Sequence, residues 1–195
     1  MRAACLWNAR TRPAHHYNST DTQVLGMLLK KVTGRTIRDY MEEKLWHPLG
    51  MEHDAHWLVD STGMEMAYGG LNATARDYAK IGELYRNGGR WQERQIVPAA
   101  WVKASLEADA PHLKAGNTGL ADSIFSYGYQ WWLPGDDGEF SAIGVYNQFV
   151  YVDPKRDLVI VKLSANRIYG TTNDESSFRE TETIELFRAI GGQCA

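Results

Sequence analysis

The hydrophobic period of the chain changes once, near residue 125, and that change limits what it can fold into. Up to that point apolar residues recur at three- and four-residue spacing, as in amphipathic helices. Beyond it they fall in short aromatic and β-branched runs divided by turn residues, as in strands. Helices followed by consecutive, closely linked strands predict an α+β fold with an antiparallel sheet, because a parallel sheet needs a crossover between successive strands.

In the helical part, Val24, Leu25, Leu28, Leu29 and Val32 form one apolar stripe. Ser19 or Thr20 can cap its start and Gly34 can close its end. Thr36 with Asp39, and Thr74 with Asp77, repeat one N-terminal pattern in which the hydroxyl serves the N–H three residues on. The first opens a helix with Ile37, Tyr40, Met41 and Leu45 on its buried face, the second a helix with Tyr78, Ile81, Leu84 and Tyr85 inward. Pro48-Leu49-Gly50 and Asn87-Gly88-Gly89 stop them. Asp77 reads as a cap, and residues 51–73 read as irregular. A fourth helix starts near Pro98, which suits a first helical position, with Trp101, Val102 and Ser105 on one side.

The later part reads as strands over 125–133, 140–152 and 158–164, then an amphipathic helix through Ile184, Leu186, Phe187 and Ile190. A three-strand sheet is thin and leaves an edge open, so self-association through that edge is expected. Residues 1–16 have no period and read as an irregular lead-in, 17–124 as mainly helical, and 125–195 as sheet plus helix.

Composition narrows the function. With 195 residues the chain can bury a core as one domain. Its 21 basic and 24 acidic residues leave a net charge of −3, which argues against a dedicated nucleic-acid binder with its basic face. No apolar run approaches the roughly 20 residues of a membrane span. No signal-peptide pattern opens the chain, which favours the cytoplasm. Cys5 and Cys194 are too few for a disulfide scaffold and read as free thiols, with a pair across the termini as the alternative. His47, His53 and His56 match no ligand spacing, so no metal is expected. There is no G-x-S-x-G elbow, and neither Gly69-Gly70 nor Gly88-Gly89 precedes a Lys-Ser/Thr pair.

A set of segments in order carries a more specific signal. Tyr17-Asn18-Ser19 lies at the mouth of the first helix, and Gly69-Gly70-Leu71-Asn72-Ala73-Thr74-Ala75-Arg76-Asp77 opens the third. Tyr127-Gly128-Tyr129-Gln130-Trp131-Trp132 follows, and Ile143-Gly144-Val145-Tyr146-Asn147-Gln148 precedes Tyr151-Val152-Asp153-Pro154. In this order, from about Tyr17 to Ala189, the chain resembles the serine hydrolases of the β-lactamase and penicillin-binding-protein superfamily. It is most similar to the class C-type branch that includes carboxylesterases and 6-aminohexanoate-dimer (nylon-oligomer) hydrolases.

The resemblance implies a β-lactamase/transpeptidase-like fold. It implies acyl transfer from a small-molecule ester or amide, with no cofactor and no nucleic-acid or membrane partner. In that family the Ser of a Ser-x-x-Lys motif attacks a carbonyl, and the Lys and a Tyr move its proton. Tyr17 matches that tyrosine, and Ser19 takes the Asn position of the Tyr-x-Asn motif. Counting back from Asp153, Ala142-Ile143-Gly144 falls on the Lys-Thr-Gly strand motif, keeping its glycine but not its cation. The residue after that glycine, Val145, then supplies a backbone N–H to the oxyanion hole. Ser19, Gly144, Tyr146, Asn147, Gln148 and Trp131 are the implied substrate neighbours. Asn147 and Gln148 read equally well as a polar pair on a strand, and of Trp131 and Trp132 one is expected in the core and one at the pocket.

The chemistry is coherent. A phenol with a pKa near 10 is a poor base alone, but a neighbouring ammonium favours its anion and lets it shuttle a proton. The chain departs from the family at one point: no serine is followed by lysine three places on. The family places that motif upstream of the tyrosine. The expectation is therefore the C-terminal part of a longer hydrolase, without the upstream strands and the nucleophile helix. A non-catalytic binding protein of the same fold is the alternative. D-alanyl-D-alanine peptidase or β-lactamase activity is a third, and Ala142 counts against it because the missing cation commonly holds a substrate carboxylate.

Overall fold

The computed structural model describes residues 16–115 and 124–193. Cys5, Cys194 and nearly all of the lead-in lie outside these residues. Helix α1 spans Ser19–Thr33. Its cap is neither Ser19 nor Thr20 but Asn18, whose Oδ1 accepts the Thr20 N–H at 3.0 Å. Gly34 closes it in the left-handed region at φ 68°.

The expected burial of the α1 stripe is corrected. Val24, Leu25 and Leu28 are each more than half exposed and Val32 is 76% exposed. The side that packs carries small and polar groups. A Cβ at Gly26 would come within 2.6 Å of Ala67 and 2.8 Å of Ile37. Gln23 accepts the Ala67 N–H at 2.8 Å and donates to the Glu65 carbonyl at 2.9 Å. Periodicity locates an apolar face; what covers that face is a property of the partner.

The two threonine caps form as expected. Thr36 Oγ1 accepts the Asp39 N–H at 3.0 Å and opens α2, Ile37–Met41, which runs on as a π turn over Glu42–Trp46. Thr74 Oγ1 accepts the Asp77 N–H at 3.2 Å and opens α3, Ala75–Arg86. Residues 51–73 are not wholly irregular: β1, His56–Trp57, pairs antiparallel with β2, Leu71–Asn72. A second hairpin, β3 (Arg90–Trp91) with β4 (Arg94–Gln95), follows α3. Pro98 takes the cap position of α4, Ala99–Ser105, instead of its first helical position. Val102 and Ser105 are buried there, while Trp101 lies outside against Tyr129, 5.6 Å between ring centres.

The main sheet has five strands instead of three. They are β5 (Ser126–Tyr127), β6 (Trp132–Leu133), β7 (Phe140–Gly144), β8 (Gln148–Asp153) and β9 (Leu158–Lys162), antiparallel and adjacent in chain order. The runs expected over 125–133 and 140–152 each fold back once. The second break is the turn after Gly144, which pairs with Gln148. Tyr146 (φ 65°) and Asn147 (φ 67°) both take the left-handed region there. No glycine marks them, so the pattern gave no sign of the break.

Strand β8 lies between two helical layers. Its Val150 and Val152 face α3, where Gly82 lets the helix approach so closely that a Cβ would meet Val150 at 3.0 Å and Val159 at 2.8 Å. Phe149 and Tyr151 face the other way, 5.6 and 5.2 Å from the ring of Phe187 on α6, Glu180–Gln193. The short α5, Glu175–Phe178, precedes α6. Ile184 and Phe187 of α6 are buried; Leu186 and Ile190 are exposed. Among the described residues no helix is long and apolar enough to cross a membrane.

Candidate functional site

Tyr17 immediately precedes the Asn18 cap, so the capping hydrogen bond fixes where its phenol begins. The residue is 50% exposed. Its ring lies 5.4 Å from Trp132 and 6.1 Å from Tyr127, which are themselves 4.6 Å apart. The Thr22 hydroxyl donates to Gln130 Oε1 at 2.9 Å and ties the first turn of α1 to the β5–β6 turn. The mouth of α1 therefore rests on this hairpin.

The tryptophan pair divides by the two-residue period of a strand. Trp131 is 7% exposed, with its ring 4.7 Å from Tyr85 and 5.0 Å from Phe140. Its expected place beside a substrate is corrected: it is a core residue, and Trp132 is the one beside Tyr17.

The other half of the site is the tip between β7 and β8. Gly144 ends β7, and the exposed Val145 and Tyr146 follow it. Asn147 is 4% exposed and is fully engaged by the protein. Its Nδ2 donates to the carbonyls of Phe178 at 2.8 Å and Arg179 at 3.2 Å. Its Oδ1 accepts the Thr183 hydroxyl at 3.2 Å and the Lys162 ammonium. Lys162 also donates to the Asn147 carbonyl at 2.8 Å. Of the two readings of Asn147, the substrate contact is thus corrected; the side chain holds the tip in place. Gln148 turns its amide back to the Val145 carbonyl at 3.2 Å. Ser19 is the half-buried first residue of α1.

The segment after β9 closes the site. The Asn166 N–H donates to the Tyr146 carbonyl at 3.2 Å. The Tyr169 ring lies 6.2 Å from Tyr146 and 5.0 Å from Phe178, and its hydroxyl donates to Glu180 Oε1 at 2.8 Å. Burial, then the Glu180 carboxylate, then Tyr17 push the Tyr169 phenol above its ordinary range. Burial and then Tyr17 do the same to Tyr127. Tyr17 is thus an electrostatic neighbour of both. Together Tyr17, Tyr127, Trp132, Tyr146 and Tyr169 make an aromatic rim from the mouth of α1 to the β7–β8 tip. Burial, and then Arg179, lower the pKa of Lys162 beneath that tip.

Sequence reasoning missed Trp132 as the site tryptophan, and it missed Tyr169, Glu180 and Lys162. Strand alternation could have chosen between Trp131 and Trp132; the others come from an irregular segment, a helix start and a strand end that no motif marks. A cleft of about 420 Å³ is lined by Glu83, Asn87, Arg90, Trp91 and Gln92, at the end of α3 and away from every rim residue. Among the described residues no group of three or more His, Cys, Asp or Glu could hold a metal ion.

Known proteins are similar to this chain in sequence and fold. The β-lactamase family model matches residues 4–177. The chain is 35% identical over 152 residues to the 6-aminohexanoate-dimer hydrolase of Paenarthrobacter ureafaciens, covering 76% of this chain and 38% of that protein. A solved structure from Bacillus anthracis, named for the same hydrolase, is 32% identical with a TM-score of 0.77, covering 92% of this chain and 46% of that one. A β-lactamase from Mycobacterium bovis shares the fold at 22% identity and a TM-score of 0.62, with 91% and 66% covered. The chain spans less than half the length of the first two.

Proposed function

The chain belongs to the β-lactamase family of serine hydrolases, and from that premise we propose that it forms one side of an acyl-transfer site for small esters or amides. The observation that carries this reading is the position of Tyr17: half-exposed, backed by Trp132 and Tyr127, at the mouth of a capped helix. In this reading a serine oxygen attacks the substrate carbonyl and its proton passes by way of the Tyr17 hydroxyl, which takes up one proton as it gives one up. The phenol then returns the proton to the departing alcohol or amine, leaving an acyl-serine ester for water to cleave. The Val145 N–H donates to the oxyanion. The 195 residues contain no Ser-x-x-Lys, so the nucleophile in this scheme comes from outside them.

The same sequence fact favours the second reading, a non-catalytic binding protein of this fold. β-Lactamase or D-alanyl-D-alanine peptidase activity fits less well. Ala142 offers no cation, and Lys162 does not replace it because its ammonium is bound to Asn147.

A chimera decides between the first two. This chain replaces the matching part of the Paenarthrobacter hydrolase, which leaves that protein's own preceding segment in place. Hydrolysis of 4-nitrophenyl acetate and of 6-aminohexanoate dimer by the chimera is expected. A chimera that folds cooperatively yet hydrolyses neither refutes the proposal and leaves the binding reading.

A further inference from the structure

The tip between β7 and β8 carries three carbonyls in a row, and each is held by a different donor. The Gln148 amide donates to the Val145 carbonyl at 3.2 Å, and the Asn166 N–H donates to that of Tyr146 at 3.2 Å. The Lys162 ammonium donates to the Asn147 carbonyl at 2.8 Å. The third bond is the shortest and has the one charged donor of the three, which makes it the strongest hold. Lys162 lies opposite Phe149 in the β8–β9 register, with its ammonium 5.7 Å from the centre of that ring.

This place is costly for an ammonium. Its two acceptors, the carbonyl and the side-chain oxygen of Asn147, are both neutral. The residue is half-buried, and the charge that acts on it is Arg179, of the same sign. The contact that offsets the cost is the grip on the tip. Two left-handed residues, Tyr146 and Asn147, have to be kept there without glycine.

The grip reaches the residue that the acyl-transfer reading uses. A carbonyl and the next N–H share one plane, so fixing the Asn147 carbonyl fixes the N–H of Gln148. Gln148 is the ladder partner of Gly144, and the Gly144 carbonyl shares its plane with the N–H of Val145. An oxyanion donor acts by being aimed before the reaction, and a misaimed one loses much of its effect.

We propose that Lys162 is a positioning residue for the Val145 N–H: its ammonium locks the β7–β8 tip in the geometry that presents this donor. The inference rests on the acyl-transfer reading for the role of Val145, while the lock itself is read on this chain without catalysis.

Two variants test it. Lys162→Met keeps an apolar stem beside Phe149 and removes the donor. In this chain, ¹⁵N order parameters of Val145 and Tyr146 should fall from about 0.85 to below about 0.6, while Val150 and Val152 stay rigid and show that the fold holds. In the active chimera, K162M should lower kcat on 4-nitrophenyl acetate about tenfold, with KM within about twofold of the parent. Lys162→Ala leaves room for the missing propylammonium group. Added propylammonium should restore kcat, and tetramethylammonium at the same concentration, which has the charge but no N–H, should not. Rigid Val145 and Tyr146 in K162M, a kcat that does not fall, or equal rescue by both cations overturns the proposal. A loosened tip in this chain beside an inactive parental chimera would refute acyl transfer and keep Lys162 as the lock of the tip. An active chimera indifferent to K162M would keep acyl transfer and remove Lys162 from it.

Discussion

Tyr17 is placed by its neighbours on both sides: the cap at Asn18 behind it and the rings of Trp132 and Tyr127 against it. All of these contacts involve the backbone or the ring; none needs the phenol oxygen. Tyr17→Phe in the active chimera should therefore leave the melting temperature near that of the parent while kcat falls about 10²-fold, the scale for a positioned acid–base group. KM should change less than kcat, because the proton moves only in the transition state. A near-parental kcat would remove Tyr17 from the mechanism. Asp77 shows the opposite case, a charged residue used for structure. It is fully buried, accepts the Glu52 N–H and the Thr74 hydroxyl at 2.7 Å each, and lies 3.9 Å from Lys80 and 3.7 Å from His53. Burial raises its pKa, but these donors outweigh it and the net shift is downward. A carboxyl with a folded pKa below its unfolded value of about 4 stabilises the fold above that value and loses this contribution as pH falls further. Asp77→Asn should cost about 1–3 kcal/mol at neutral pH, and urea midpoints should show the gap to the parent chain narrowing below about pH 4. A gap that stays constant down to pH 2 would contradict the assignment.

At the scale of elements, local chemistry was legible and coverage was not. Thr36 and Thr74 announce their helices because a hydroxyl and an N–H three residues apart can meet whatever the tertiary context. Val24, Leu25 and Leu28 announce a helix too, but its packing is decided by Gly26 and Gln23 on the other side. The β7–β8 turn was illegible because its two left-handed residues are Tyr146 and Asn147 instead of glycine. Tertiary contacts hold it instead: the Asn147 side chain reaches α5 and α6, and Lys162 reaches its carbonyl. That account makes a comparison of two substitutions informative. Asn147→Ala and Asn147→Gly remove the same hydrogen bonds, but glycine enters the left-handed region without the penalty of about 1 kcal/mol that alanine meets. Both should destabilise by about 2–4 kcal/mol, alanine by roughly 1 kcal/mol more. Equal losses in chemical denaturation would mean that backbone strain at the tip contributes nothing.

For the molecule as a whole, the order of elements and the antiparallel sheet followed from one change of period, while the two extra strands did not. The five-strand sheet, covered by α3 on one face of β8 and by α6 on the other, still ends at β9 with its outer backbone groups unpaired by any strand among the described residues. The α1 face adds Val24, Leu25, Met27, Leu28 and Val32, all more than half exposed. Contiguous apolar faces and open strand edges are the two surfaces through which chains associate. The isolated chain should therefore exceed monomer mass in size-exclusion chromatography with light scattering at about 50 µM, a concentration where even weak interfaces with Kd near 10 µM are mostly filled. The two surfaces can be told apart. Val24→Lys with Leu28→Glu places charges on the helix face without touching the sheet, and because both side chains are exposed the melting temperature should hold. A return to monomer mass in this variant assigns the association to α1. An unchanged mass assigns it to the β9 edge, where pairing by backbone groups is indifferent to the α1 side chains. A compact monomer of the unmodified chain, with a sharp thermal transition at the same concentration, would show that neither surface drives association.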